Sequence, residues 1–193
     1  MTIANQITIA RILLIPVFVL FAAYYGAGVA RGEPEEWIRY CAIGIFIFAA
    51  VTDAFDGWVA RKLGETSKLG AILDPIADKG LLLTAIITLT ISPWHFALPL
   101  WFPVLVIARD VVILTGCAVV QLHGNNLVVR PTWSGKSATA LQMIAVSWVL
   151  LQIPYFEPVI WLAGAFTLIS GIEYIFQGVR QFTHSENEGV TKS

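Results

Sequence analysis

The chain has 193 residues, of which 57% are apolar and only 13% are charged, and its formal net charge is −1. Its mean hydropathy is +0.75. This composition excludes a single soluble core of ordinary make-up. It is typical of a polytopic membrane protein, in which charge matters by location rather than by sum.

Apolar runs predict an all-α integral membrane protein with six transmembrane helices. The predicted spans are about 7–25, 37–59, 70–91, 98–122, 133–153 and 159–182. Residues 1–183 would form one six-helix membrane domain. The polar segment 184–193 is predicted to be a disordered tail, because it offers almost nothing to bury.

The basic residues predict how the chain is oriented. Six helices place both termini on one side, and the connectors and tail of that side carry Arg61, Lys62, Lys68, Arg130, Arg180 and Lys192. The opposite side has only Arg31 and Arg39 among its connectors and helix ends. The positive-inside rule therefore places the termini and the hinge at residues 61–69 in the cytoplasm. A bacterial inner membrane is the expected location.

Cysteine and tryptophan side chains are given no functional role. Cys41 and Cys117 lie in or near apolar segments and are expected to be free thiols rather than a disulfide. Trp37, Trp94 and Trp101 are expected to anchor the chain at the far membrane interface.

Four aspartates in two pairs dominate the polar chemistry of the chain. Asp53 with Asp56, and Asp74 with Asp78, have the spacing of one helical turn, so each pair places two carboxylates on one helix face. Carboxylates beside apolar flanks are costly unless a cation compensates them. Oxygen ligands without His or Cys suit two Mg²⁺ or Mn²⁺ ions rather than zinc. The spacing alone leaves two interpretations open, a two-metal phosphoryl-transfer site and a proton or cation path through a transporter.

The complete pattern is D-x2-D-G-x2-A-R-x8-G-x3-D-x3-D, and it resembles the signature of the CDP-alcohol phosphatidyltransferase family at every specified position. Eight fixed residues at fixed spacings would arise by chance at on the order of 10⁻¹⁰ per starting position. The resemblance implies six membrane helices, a homodimer, and displacement of CMP from a CDP-linked donor by an alcohol.

The resemblance also assigns roles by matching position. Asp53, Asp56 and Asp74 would hold the metal ions, and Asp78 would help to hold one and act as the general base. The cytidine diphosphate pocket would be formed by Gly57, Ala60, Arg61 and Gly70. Small residues admit a base and a phosphate close to the backbone, and an arginine offers a fork of donors. For the two glycines alone, helix packing is the ordinary explanation.

The N-terminal segment NQITIAR resembles the N-x2-T-x2-R start of glycerophospholipid-forming members of the family. Asn5, Thr8 and Arg11 recur every three residues and face roughly one way. The resemblance implies that this face borders the nucleotide site, with Asn5 and Thr8 as binding residues. Arg11 could instead mark the cytoplasmic interface.

Arg109 and Asp110 lie in the middle of an apolar helix. Because adjacent residues point about 100° apart, we expect these two not to pair with each other. Arg109 is expected to face an anionic substrate, and the alternative is a structural ion pair with the aspartate cluster or Glu173.

The stretch VVRPTWSGKSATALQ resembles a segment of phosphatidylglycerophosphate synthases and of eukaryotic-type cardiolipin synthases, with Gly135, Lys136, Thr139 and Gln142 at the shared positions. Arg130 and Lys136 would then meet the phosphate of the acceptor or the lipid headgroup layer. For Arg130, attraction to anionic lipid is an equally good explanation.

These features lead to one preferred function and three alternatives. The preferred function is transfer of a phosphatidyl group from CDP-diacylglycerol to sn-glycerol 3-phosphate. The alternatives are cardiolipin synthesis with phosphatidylglycerol as the acceptor, a cation- or proton-coupled transporter, and a non-catalytic membrane subunit. The RD dipeptide and the RPTWSGK stretch lean toward cardiolipin synthesis. Membrane lipids are the expected surroundings, and no nucleic-acid partner is expected.

Overall fold

The structure is a computed structural model that describes the backbone of residues 3–63, 70–122 and 133–190 and the side chains of residues 9–52, 79–116 and 133–177. All regular secondary structure in these ranges is helical, with no strand. The helices are α1 (Ile3–Arg31), α2 (Glu36–Leu63), α3 (Gly70–Ile91), α4 (Trp101–Leu122), α5 (Trp133–Leu150) and α6 (Glu157–Val190). The predicted all-α class with six helices is thus confirmed.

Helix α1 is longer than predicted and continues past Tyr25 to Arg31. Gly26 and Gly28 lie inside this helix, where they let other parts of the chain approach it closely. A Cβ atom on Gly26 would lie 3.0 Å from Cβ of Ser92, and one on Gly28 would lie 3.1 Å from the carbonyl oxygen of Glu33. The helix ends one residue before Gly32, which takes a left-handed φ of 78°.

Apart from the end of α6, the other helix ends lie close to the predicted bounds. α3 begins and ends at the predicted residues, Gly70 and Ile91. α6 extends to Val190, into the segment for which the sequence predicts a polar tail. The division into a domain and a tail stays a prediction.

Two stretches in the described part of the chain are long and apolar enough to cross a membrane, Ile9–Arg31 and Glu157–Gln177. Lys79–Ile91 is a shorter apolar helix. The number of membrane spans therefore stays a prediction.

Chain contacts divide the protein into two compact units. The first unit comprises Met1–Leu100 and Val146–Phe156, and the second comprises Trp101–Ala145 and Glu157–Ser193. In the first unit α1 packs against both α2 and α3. Its core is a layer of apolar side chains that includes Phe18, Phe46 and Ile86.

The first unit has a polar cluster at the C-terminal end of α1. The hydroxyl of Tyr25 donates to Glu36 Oε1 (3.2 Å) and accepts from Gln152 Nε2 (2.7 Å). Glu36 also pairs with Arg39 at 2.7 Å. Trp94 is buried against Tyr25, with ring centroids 4.6 Å apart, and its indole N–H donates to the carbonyl oxygen of Ala22. The prediction that Trp94 anchors the interface is therefore wrong, because its indole N–H has a partner inside the unit.

In the second unit α4 packs against α6 around a close contact at Gly164. The ring of Trp101 stacks on Trp161, with centroids 4.8 Å apart. A Cβ atom on Gly164 would lie 2.7 Å from Cζ3 of the Trp101 ring, a separation that real Cβ atoms do not tolerate. Gly164 therefore allows the indole to lie flat against α6.

We expect Gly164→Ala to destabilise the protein by about 1 to 3 kcal/mol, because the Trp101 ring must leave its stacked position. Gly44→Ala is the matched control, since no described atom lies within 4 Å of a Cβ atom there. The control should be neutral or slightly stabilising, because alanine favours a helix by roughly 0.5 to 1 kcal/mol over glycine. Thermal unfolding of both variants in detergent measures the difference, and equal melting temperatures would contradict the account.

Candidate active site

The buried stripe of α2 leads directly to the first pair of aspartates. Ala42, Phe46 and Ala49 are buried against the first-unit core at spacings of four and three residues. Continuing the same alternation along α2 gives positions 53 and 56. The side chains of these two aspartates lie outside the described residues, but their positions in the helix continue its core face.

The buried stripe of α3 leads in the same way to the second pair. Leu82, Ala85 and Leu89 are buried at spacings of three and four residues. Counting back from Leu82 in steps of four gives positions 78 and 74, in the first turns of α3. Both aspartate pairs thus continue the core-facing stripes of two helices that pack on α1.

The donor set fits divalent cations. Four carboxylates in two one-turn pairs supply only oxygen ligands, which Mg²⁺, Mn²⁺ and Ca²⁺ prefer. No group of three or more His, Cys, Asp or Glu side chains that could hold a metal occurs elsewhere in the described part of the chain. The two aspartate pairs are therefore the best candidates for a metal centre.

A second polar cluster lies in the second unit around Arg109, which is 8% exposed. Its Nη1 donates to Asp110 Oδ1 at 2.8 Å and its Nη2 to Ser170 Oγ at 3.0 Å. The guanidinium carbon also lies 5.7 Å from the ring centroid of Tyr174. The Nε atom is buried and has no hydrogen-bond acceptor among the described residues.

The prediction that Arg109 and Asp110 do not pair is wrong. Their Cα–Cβ bonds diverge along the helix, but the long arginine side chain reaches across this divergence to the neighbouring carboxylate. Glu173, the alternative partner, instead accepts a hydrogen bond from the Ser134 hydroxyl.

Glu173 also borders a cavity of about 610 Å³ on one side of α6. Among the described residues, its lining is the stripe Ile169, Ile172, Glu173, Phe176 and Gln177. Lys136, two residues after Ser134 in α5, is exposed. The second unit therefore contains the basic side chain of Lys136, the carboxylate of Glu173 and the apolar lining of this cavity.

Gln142 and Thr167 form a buried polar link between α5 and α6. The Gln142 Nε2 atom donates to Thr167 Oγ1 at 2.8 Å, and that hydroxyl donates to the carbonyl oxygen of Ala163 at 2.7 Å. Gln142 is 3% exposed and Thr167 is fully buried. The glutamine of the G-K-x2-T-x2-Q pattern is thus a helix-linking residue.

Sequence reasoning missed two buried polar residues of α6, Thr167 in the link to Gln142 and Ser170 in the Arg109 cluster. A signal was available, since Thr167, Ser170 and Tyr174 recur at spacings of three and four residues in an otherwise apolar segment. Such a polar stripe in an apolar helix indicates a face turned toward other helices.

Several residues with predicted roles lie outside the described side chains. They are Asn5, Thr8, Asp53, Asp56, Gly57, Ala60, Arg61, Gly70, Asp74, Asp78 and Arg130. All but Arg130 belong to the helical ranges of α1, α2 and α3. Their roles stay predictions.

Comparison with known proteins identifies the group to which the chain belongs. The family profile described as CDP-alcohol phosphatidyltransferase matches residues 1–169. This chain belongs to the CDP-alcohol phosphatidyltransferase family. The resemblance seen in the aspartate pattern is thereby confirmed. Members of the family are membrane-associated enzymes that use divalent metal ions.

Similar members of the family share most of their length with this chain. A CDP-diacylglycerol–glycerol-3-phosphate 3-phosphatidyltransferase of Bacillus subtilis is 37% identical over 88% of this chain and 91% of the relative. The Escherichia coli K12 protein of the same name is 34% identical over 90% of this chain and 92% of its own length. A probable phosphatidylglycerophosphate synthase of Mycobacterium tuberculosis is 34% identical over 92% of this chain and 81% of its own length.

Proposed function

We propose that this chain transfers the phosphatidyl group of CDP-diacylglycerol to sn-glycerol 3-phosphate, giving phosphatidylglycerophosphate and CMP. The observation that carries the proposal is similarity along about nine-tenths of both chains to two relatives named for this reaction. The complete aspartate pattern on α2 and α3 supports the same reaction class. Family membership disfavours the transporter and the non-catalytic subunit.

The reaction needs a base, a clamp on the diphosphate and a place for the leaving group. Asp78 takes the proton from the acceptor hydroxyl, whose oxygen then attacks the lipid-side phosphorus of the donor. The bond from that phosphorus to the bridging oxygen breaks, and CMP leaves with the electron pair. Asp53, Asp56 and Asp74, with help from Asp78, hold two Mg²⁺ or Mn²⁺ ions. When bound, these ions neutralise charge that develops on the diphosphate and the leaving oxygen.

The donor nucleotide is held by small and polar residues near these carboxylates. Gly57, Ala60 and Gly70 leave the backbone open to the cytidine and its phosphates, and Arg61 supplies a fork of donors. Asn5 and Thr8 of α1 border the same pocket. This assignment is supported by their places on the three helices that pack together in the first unit.

The acceptor phosphate is held by Lys136, Arg130 and Arg109. Lys136 is exposed and can reach a small dianion. Arg109 already pairs with Asp110 and Ser170, but its buried Nε–H lacks an acceptor among the described residues. The support for Arg109 as an acceptor ligand is its positive charge in an otherwise apolar segment of α4, where a charged side chain is costly unless it has a function.

The protein acts as a homodimer with six membrane spans and cytoplasmic termini at a bacterial inner membrane. The family's membrane association and the two apolar stretches of the structure support a membrane location. The homodimer and the six spans follow from the family resemblance, and the cytoplasmic termini follow from the distribution of Lys and Arg along the chain. This arrangement places the aspartates on the side where CDP-linked lipid and glycerol 3-phosphate are found.

This orientation predicts different labelling of two thiols. Cys41, a half-buried free thiol near the predicted outer end of α2, should react with an impermeant reagent from outside sooner than Cys117 near the inner end of α4. An engineered cysteine at Ser67 in the hinge is the control for burial. Labelling of that hinge from outside intact cells would overturn the orientation.

A panel of acceptors tests the proposed reaction. Purified protein is incubated with CDP-diacylglycerol and either glycerol 3-phosphate, phosphatidylglycerol, inositol or serine, and CMP release is measured. We expect release with glycerol 3-phosphate alone. Release with phosphatidylglycerol alone would make the protein a cardiolipin synthase and leave the metal and nucleotide assignments standing.

A further inference from the structure

Arg11 is a buried charge that the proposed reaction has not yet used. It is 2% exposed and is among the largest fully buried side chains of the described core. Its two neighbours in the sequence of α1, Ala10 and Ile12, are both apolar. A buried guanidinium is costly unless a carboxylate and hydrogen bonds compensate it, so burial here indicates an opposite charge nearby.

The register of α1 against α2 indicates which carboxylate that is. The rings of Phe18 and Phe46 are in contact, with centroids 5.9 Å apart. Arg11 lies seven residues before Phe18, and Asp53 lies seven residues after Phe46, on a helix that runs in the opposite direction. Seven residues are two helical turns, so each position keeps the face of its phenylalanine. Arg11 and Asp53 therefore occupy facing positions at the same level.

The contact between α1 and α3 places the second aspartate pair at the same level along the helices as Arg11. A Cβ atom on Gly80 would lie 3.4 Å from Cδ1 of Ile15. Four residues earlier on both helices, Arg11 lies level with position 76, midway between Asp74 and Asp78. Each of these is about 3 Å along the axis from that level.

No other acidic residue of the first unit is comparably placed. Glu33, Glu35 and Glu36 follow the C-terminal end of α1, about 30 Å from Arg11 at 1.5 Å per residue. The remaining acid, Glu65, belongs to the connector after α2, outside the described residues. The aspartate positions are thus the ones that both registers bring to Arg11.

We propose that Arg11 is a positioning residue of the metal centre, with its guanidinium paired to Asp53. It orients the first aspartate pair and reduces the charge of the four carboxylates from −4 to −3 before metal binds. The inference rests on the proposed function, because it takes the four aspartates as metal ligands. The pairing explains why a charged residue occupies a core position of α1.

Mn²⁺ binding to the purified, detergent-solubilised protein tests this role without turnover. Free Mn²⁺ is measured by electron paramagnetic resonance during titration of the wild type, Arg11→Met and Arg11→Lys. Removing the guanidinium removes repulsion of the incoming cations, so Arg11→Met should bind Mn²⁺ at least about fivefold more tightly. The kcat of CMP release should nevertheless fall at least about tenfold, because Asp53 is no longer held in place. Arg11→Lys keeps the charge and should bind Mn²⁺ within about twofold of the wild type.

Arg39→Met is the matched control, since Arg39 is a mostly buried arginine at the other end of the same unit. It should leave the Mn²⁺ midpoint unchanged. An Arg11→Met midpoint that is unchanged or weaker would overturn the proposal, because a purely structural arginine would not tighten metal binding.

A second measurement covers the case in which Arg11→Met unfolds. The melting temperatures of Arg11→Met, Asp53→Asn and the double variant are compared without metal. If the two side chains pair, the double variant should lose less than the sum of the single losses. Additive losses would overturn the pairing. Failure of the proposed function would appear separately, as a wild type that binds Mn²⁺ but releases no CMP.

Discussion

Asp53→Asn and Asp74→Asn are each expected to lower kcat/KM for CMP release by at least about a thousandfold. An amide is a poor ligand for a hard dication and leaves the other carboxylates under-neutralised. A loss of this size, about 4 kcal/mol, is what removal of a main electrostatic element of a transition state costs. CMP release from CDP-diacylglycerol with saturating glycerol 3-phosphate measures it, and EDTA should abolish wild-type activity.

Two further variants separate metal binding from proton transfer. Asp78→Asn should be as inactive as Asp53→Asn but keep its affinity for CDP-diacylglycerol, because the base acts after the donor binds. Glu35→Gln, an exposed carboxylate beyond the C-terminal end of α1, should retain wild-type activity. Wild-type activity that survives EDTA would contradict the two-metal account. Loss of donor binding by Asp78→Asn would remove support for its role as the base.

Lys136→Ala is expected to raise the KM for glycerol 3-phosphate at least about tenfold. A charge-assisted hydrogen bond contributes about 1.5 to 3 kcal/mol, and its loss should appear in the acceptor KM because the lysine holds a non-reacting phosphate. The KM for CDP-diacylglycerol should change little. Lys136→Arg should recover most of the affinity, and Arg31→Ala, a lost charge at the C-terminal end of α1, should have no effect.

The role of Arg109 in acceptor binding is tested with a substitution that removes less of the side chain than alanine does. Truncation would leave the partly buried Asp110 without its 2.8 Å partner and would weaken the α4–α6 contact. Arg109→Lys keeps the charge but loses the fork, so it should raise the acceptor KM while leaving the melting temperature near the wild-type value. If neither Lys136→Ala nor Arg109→Lys moves this KM, the second unit does not hold the acceptor phosphate.

The helices could be predicted because their signals are local. Apolar runs and polar connectors predicted six helices and the bounds of α3. The end of α1 was misjudged because Gly26 and Gly28 look like a loop in sequence. Their actual role depends on Ser92 and Glu33, which approach them only in the folded protein.

The candidate site likewise has features that a local sequence pattern predicts and features that depend on contacts between distant residues. The aspartate spacing is a local pattern, so its helical positions followed from the sequence. The pairing of Arg109 with Asp110 could not be predicted from backbone directions, because it depends on a flexible side chain and on Ser170 of another helix. The level shared by Arg11 and Asp53 required the Phe18–Phe46 contact, which sets the register of two helices.

Product stoichiometry tests the central claim most directly. Purified protein is incubated with CDP-diacylglycerol, Mg²⁺ or Mn²⁺, and radiolabelled sn-glycerol 3-phosphate, and both the labelled lipid and the CMP are counted. The account predicts one CMP for each labelled phosphatidylglycerophosphate, with neither product formed when EDTA is present. CMP release without label in the lipid, or no CMP at all from folded, metal-loaded protein, would contradict it.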